Sequence, residues 1–218
     1  MTSVTGPFSS TRRMVLAGAA VLLLAVGLVV LMVGPPSAAS PSAKAALSAP
    51  AEESADAGFA RDMAIHHQQA VEMSFIVRDR TDDEDVRRLA YDIINTQANQ
   101  RGMMLGWLEM WGLPKSSAKP PMAWMGHTVE PAGDGSLMPG MATDAELAAL
   151  EAAEGKAAEV LFLRLMTVHH RAGVDMARAG AEAAGTDVIR NLAKGMVSGQ
   201  QSEIGLMADM LEARGAKP

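Results

Sequence analysis

The sequence predicts an all-α protein: a four-helix bundle built from two duplicated helical hairpins, preceded by an N-terminal transmembrane or signal helix. Three observations predict it. The chain matches itself at a constant offset of 103 positions, so that Phe59, Met63, His66, His67, Val71 and Met73 recur as Phe162, Met166, His169, His170, Val174 and Met176. In the same register Leu89, Gln97, Gln100, Met104 and Leu108 lie over Leu192, Gln200, Glu203, Met207 and Leu211. That period is too long for a solenoid and marks a single duplicated unit. The composition agrees, with aromatics at 4% and Ala, Gly, Leu and Met dominant. Third, Ile93, Ile94, Gln97, Gln100 and Met104 share one face, as do Met196, Val197, Gln200, Glu203 and Met207. This is the 3.6-residue period of an amphipathic helix.

Taken in order, residues 1–13 end in Arg12 and Arg13 and are expected on the cytoplasmic side. Met14 to Val33 is a run of 20 residues without a charge. At about 1.5 Å per helical residue it is long enough for the apolar core of a bilayer. Its length favours an uncleaved anchor over a cleaved signal peptide, whose apolar stretch is about 7–15 residues; Ser37-Ala38-Ala39 is the cleavage site in the second case. Residues 34–52, dominated by Pro, Ser and Ala, read as a tether. The bundle domain is expected over 53–214, with halves 53–112 and 144–214 around a Met-rich connector, 113–143.

Helices are predicted near 53–79, 82–111, 144–184 and 187–214. The quartets Thr81 to Glu84 and Thr143 to Glu146 have capping-box spacing and open the second and third of these. Gly112, Gly185 and Gly215 mark helix ends. Gly155 is expected to interrupt the third helix, since glycine inside a helix costs about 1 kcal/mol relative to alanine.

Several functions are excluded. A net charge of −6 with no basic block leaves nothing to grip a phosphate backbone, so no nucleic-acid partner is expected. The lack of Cys removes thiolate metal sites, iron–sulfur clusters and cysteine nucleophiles. Gly-x-Ser-x-Gly, P-loop, dinucleotide and His-Glu-x-x-His motifs are missing. No Glu stands three residues before a His, as the carboxylate-bridged di-iron bundles require.

What remains is sulfur ether and imidazole. The chain holds 17 Met, several times the ordinary share, and 5 His, four of which form two adjacent pairs. Met63 stands one turn before His66 and His67, and Met166 one turn before His169 and His170, so thioether and imidazole can converge on one ion. Met73 and Met176 lie about 10 Å further along their helices by the 1.5 Å rise. They belong to core packing, to a second site, or to a site shared with a neighbouring helix. Such a donor set suits Cu(I), and Ag(I) by the same softness, better than Mg, Ca or Fe. The connector adds Met125 and His127, a further thioether–imidazole pair, beside Met122, Trp124, Met138 and Met141. In a glycine-rich loop these methionines have less packing reason than core ones. Met103, Met110, Met196 and Met210 read as core, Glu72 and Asp175 as solvated surface, and Trp107 and Trp111 as packing of the bundle end. Gln97, Gln100, Gln200 and Glu203 read either as an interior hydrogen-bond network or as a metal-supporting set.

His-His-x-x-Ala/Gly-Val-x-Met occurring twice, Gln200 to Met207 in the last helix, and Met138-Pro139-Gly140-Met141 together resemble the domain of unknown function 305 family. The resemblance covers about residues 55–214. It implies a ferritin-like fold, export in bacteria, and an association with copper binding and copper tolerance. It also implies a metal role for Met63, His66, His67, Met73, Met166, His169, His170 and Met176, with Gln200, Glu203 and Met207 in the last helix. The first half departs from the pattern, with Gln100-Arg101 where the second has Glu203-Ile204.

The function expected from these readings is an extracytoplasmic, membrane-tethered copper-binding protein that sequesters or passes on Cu(I). Its partners would be the metal ion, the membrane and a copper-handling protein that receives the ion. Metal binding is expected to weaken as pH falls toward about 6, the imidazole range. The alternatives are a structural or stress-sensing module with a His/Gln core network and no metal, and a copper-dependent oxidase.

Overall fold

A computed structural model describes residues 49–126, 129–130 and 132–217. The expected N-terminal anchor, nearly all of the tether and His127 lie outside these residues. The described residues form five α-helices and no strand: α1 (Ala55–Arg78), α2 (Glu84–Met110), α3 (Asp144–Ala152), α4 (Gly155–Ala183) and α5 (Asp187–Ala213), with a 3-10 turn at Ala123–Met125. None of these helices is long and apolar enough to cross a membrane.

The helix ends follow from local chemistry. Ser54 caps α1, its hydroxyl accepting from Ala57 N at 3.2 Å. The capping box expected at Thr143 and Glu146 forms in both directions. The one expected at Thr81 does not. Asp83 caps α2 instead, accepting from Val86 N at 2.9 Å, because the Thr81 hydroxyl is drawn away to donate to Glu159 of α4 at 2.6 Å. At the other end of α2, Gly112 takes φ +68°, and Leu113 N donates to Leu108 O at 2.9 Å. Gly215 repeats this after α5 with φ +68°, Ala216 N donating to Leu211 O at 2.9 Å. These are paired Schellman ends, each needing a residue tolerant of left-handed backbone. The third expected helix is divided into α3 and α4. Ala153 and Glu154 are extended, and Gly155 enters left-handed space at φ +52°, giving its N–H to Arg80 O at 2.7 Å.

Burial sorts the helices into two kinds. α1 is covered on most of its circumference and α4 on about half, whereas α2 and α5 each bury a single stripe. α1 packs along α2, α4 along α5, and the two hairpins meet through α1 and α4. Phe59 lies against Gly180 while His66 lies against His169 and Gly173, so α1 and α4 run antiparallel. Small residues on facing surfaces let two helix axes approach closely. A side chain at Gly180 would overlap the Phe59 ring.

The core is divided in two. One apolar cluster joins the first half of α1, the second half of α2, the second half of α4 and the first half of α5, and contains Phe59, Met63, Met104, Met176 and Met196. The other joins the opposite halves and contains Met73, Phe162, Met166, Met207 and Met210. Met196 and Met210 are buried as expected, but Met103 and Met110 are 44% and 61% exposed. They fall outside the one buried stripe of α2. Glu72 and Asp175 are solvent-exposed. Trp107 and Trp111 stack with ring centroids 6.5 Å apart, packed on the first cluster.

Candidate metal centre

Between the two clusters lies a polar layer. His66 and His67 come from α1, His169 and His170 from α4, and all four are 0–1% exposed. The His66 and His169 rings lie face to face at a centroid distance of 3.7 Å, and His169 and His170 are 6.3 Å apart. The outer helices contribute amides and one carboxylate: Gln97 and Gln100 from α2, Gln200 and Glu203 from α5. Helical spacing produces this arrangement. Adjacent His residues in an otherwise buried stripe place one ring toward the partner central helix and the next toward the helix of its own hairpin.

The hydrogen bonds orient three of the rings alike. His67 Nε2 donates to Gln100 Oε1 at 2.8 Å, His170 Nε2 to Glu203 Oε2 at 2.7 Å, and His169 Nε2 to the His66 carbonyl at 3.1 Å. In each case Nδ1 is buried and has no partner. A ring that donates from one nitrogen carries a lone pair on the other, which is the form in which imidazole ligates a metal. His66 has no partner at either nitrogen, and the Gln97 amide and Gln200 Oε1 are likewise buried and unpaired. Polar atoms left so are rare in native interiors and call for an explanation.

Burial disfavours the charged form of three of the four rings. It lowers His66 and His169 well below the ordinary imidazole range, with neighbouring imidazoles adding to the effect. Burial takes His67 down to about 4 against an opposing contribution from Gln100. Neutral, ligating imidazole therefore persists to a lower pH than the value near 6 expected from an unperturbed side chain.

The methionines close the layer from both sides. Met63, Met73, Met104, Met166, Met176 and Met207 are all 0–1% exposed. Met63 shares its cluster with Met176 and Met104, and Met166 shares the opposite one with Met73 and Met207. The duplication exchanges the two trios. Met73 and Met176 thus sit with residues of neighbouring helices rather than with the His pair of their own. Thr167 Oγ1 donates to the Leu163 carbonyl at 2.6 Å and lies 3.8 Å from Met207 Sδ. Among the described residues no three His, Asp or Glu side chains form a metal-binding group by themselves.

In the connector, Met122 and Met138 are buried, and Met125, Met141 and Trp124 pack against the first cluster. The loop methionines therefore do have a packing role. Asp62 holds the connector, accepting from Met122 N at 2.8 Å and Trp124 Nε1 at 2.9 Å. Trp124 stands edge-on to Phe59, away from the imidazoles, over the space left by Gly58.

Sequence reasoning missed Gly173. It occupies the position equivalent to Ala70, and a Cβ there would overlap Gln200 Oε1 and press on His66 Cε1. A small residue beside the second His pair was the only signal. It also missed Asp56 and Glu159, another equivalent pair. Asp56 accepts from Gly185 N at 2.9 Å and Thr186 N at 2.8 Å, and Glu159 binds Thr81 and Arg214.

Fold and interior together define an internally duplicated, all-helical protein with a buried imidazole layer set between methionine-bearing clusters. The chain belongs to the DUF305 family, a domain of unknown function whose family model matches residues 56–211. It is similar to a DUF305 protein from Streptomyces coelicolor named as a candidate secreted protein, at 63% identity and a TM-score of 0.71, over 77% of this chain and 98% of that one. A DUF305 fragment from Deinococcus radiodurans is 31% identical with a TM-score of 0.62, over 73% of this chain and 96% of that one. CopM in its Cu(I)-bound form shares the fold at 21% identity and a TM-score of 0.53, over 72% of this chain and 96% of that one. CopM has also been solved in Ag-bound and Cu(II)-bound forms. No curated protein matches the chain.

Proposed function

We propose that this chain is an extracytoplasmic copper-binding protein that sequesters Cu(I) or passes it on, without turning over a substrate. One observation carries the reading: buried imidazoles with bare Nδ1 atoms meet between two trios of buried methionines. A nitrogen-and-thioether set without thiolate suits a soft monovalent ion. The orphaned nitrogens are what an ion would satisfy.

On this reading Met63, His66 and His67, with Met176 from α4, hold copper on one side of the layer. Met166, His169 and His170, with Met73 from α1, hold it on the other, and Glu203 and Met207 complete that side. Met125 and His127 form a lesser position in the connector. The ion is cargo. The protein's part is to keep the imidazoles neutral, to fix their tautomers and to exclude water. The Cu(I)-, Cu(II)- and Ag-bound forms of CopM support the choice of metal. The same reading takes residues 14–33 as a membrane anchor, 34–52 as a tether, and 53–214 as a ferritin-like bundle outside the cytoplasmic membrane. Similarity to a candidate secreted protein supports that location. A copper-handling protein would receive the ion.

A second reading, a structural module without metal, is favoured by the hydrogen bonds that tie α1 to α2 and α4 to α5 through His67 and His170. Metal analysis of the full chain purified without a His tag, followed by competition with a Cu(I) chelator at pH 7, separates the two. Copper retention that disappears when Met63, His66, His67, Met166, His169 and His170 are replaced together is the expected result. Equal retention after that replacement, or no retention at all, overturns the copper reading.

A further inference from the structure

The duplication makes the two sides of the imidazole layer comparable position by position, and they are not the same. His67 gives its Nε2 proton to a neutral amide, Gln100, at 2.8 Å; His170, its equivalent, gives it to a carboxylate, Glu203, at 2.7 Å. The acid is partly exposed, with 23% of its side chain accessible, while the His170 side chain is fully buried. Glu203 therefore stands at the solvent rim while its hydrogen bond reaches the interior. A second difference lies beside it. Gly173 stands where the first half has Ala70, and its missing Cβ is the space taken by Gln200 Oε1 and His66 Cε1.

We infer that the two halves present copper positions of unequal strength, and that Glu203 is the positioning residue that makes the His170 side the tighter. This rests on the copper reading above and goes beyond it. A hydrogen bond from Nε2–H to a carboxylate pushes electron density through the ring to Nδ1, making it a better donor than one backed by an amide. The carboxylate also balances the charge of a bound monovalent cation in a low-dielectric interior, which Gln100 cannot do. Partners of this kind commonly change metal affinity by about 10–100-fold. The inequality between the halves needs only this action of Glu203 through His170.

The test uses the full chain, Cu(I) as the probe and a competing Cu(I) chelator, on the wild type and on Glu203→Gln and Gln100→Glu. Wild type should titrate in two steps about 10–100-fold apart. Glu203→Gln, which keeps the hydrogen bond and loses the charge, should bring the tighter step down to the weaker. Gln100→Glu should raise the weaker toward the tighter. Copper(I) is diamagnetic, so imidazole nitrogen-15 NMR gives a second readout. The first equivalent of metal should shift His170 Nδ1 before His67 Nδ1 in wild type, and the preference should vanish in Glu203→Gln while thermal stability holds. Two equal steps in wild type, or a split that Glu203→Gln leaves in place, would overturn the inference and leave copper binding intact. No retention by any of the three chains overturns the copper reading, and this inference with it.

Discussion

His67 shows how one side chain sets a property of the molecule. Burial holds it at about 4, against an ordinary 6.5. Between those values the unfolded chain takes up a proton that the folded chain refuses. Stability is therefore whole above about pH 6.5, declines as pH falls, and levels off below about 4. At about 1.4 kcal/mol per pKa unit, His67 alone would cost about 3 kcal/mol by pH 4. His66 and His169 are lowered in the same direction and add to the loss. In urea titrations of the metal-free chain the midpoint should fall steeply from pH 6.5 to 4, and less steeply for His67→Gln. A flat profile would contradict a layer of neutral, buried imidazoles. Gly173 makes a second test at this scale. Its Cβ would enter space held by Gln200 and His66, so Gly173→Ala should destabilise by about 1–3 kcal/mol, the usual cost of overpacking. Neither effect could be read from the sequence. The Met-x-x-His-His pairs announce donor chemistry, but tautomers and spare lone pairs depend on partners from other helices.

At the scale of helices, local signals were legible wherever the chain satisfied itself. The Thr143–Glu146 box and the glycine ends after α2 and α5 depend on neighbours within a few residues; the break before Gly155 is marked by its glycine but is also held by the bond from Gly155 N to Arg80 O. Thr81 failed as a cap because Glu159, 78 positions away, competes for its hydroxyl. Asp56 illustrates the same limit from the other side. It lies in the first turn of α1, yet it caps α5 by accepting from the backbone of Gly185 and Thr186 and from the Thr186 hydroxyl. Thr143→Ala should cost about 1 kcal/mol, the worth of an exposed cap. Asp56→Ala should cost about 3 kcal/mol, because it removes a buried carboxylate that accepts from two backbone N–H groups and a hydroxyl at the start of α5. Denaturant midpoints of the two variants, compared with wild type, check the ranking. Equal losses would mean that the remote cap contributes no more than a local one.

For the molecule as a whole, the duplication was the most legible feature, since a constant register needs no knowledge of packing. Pairing of the hairpins through α1 and α4 follows from the same duplication, because a pseudo-two-fold bundle brings the two His-bearing helices together. The division of the core by a polar layer was not legible, since it arises from which faces of those helices meet. Met103 and Met110 are exposed because they fall outside the narrow stripe that α2 buries, packed chiefly against α1. A ligand that binds only the folded state stabilises it by about 2.7 kcal/mol at a hundredfold excess over Kd. If copper joins the two trios across the layer, Cu(I) should raise the thermal midpoint by about 5–10 °C in a domain of this size. A chelator should reverse the shift, and differential scanning calorimetry would record both. An unchanged midpoint would place any bound copper outside the bundle interior.

The two hairpins are related as two copies would be in a homodimer, with corresponding residues swapped across the centre. Identical subunits are obliged to be identical in both halves, because one gene writes both. Covalent fusion lifts that obligation. Glu203 and Gln100, or Gly173 and Ala70, can diverge only because each is encoded once, so the linkage between hairpins gave evolution two separately adjustable half-sites where an assembly of identical chains would have allowed one.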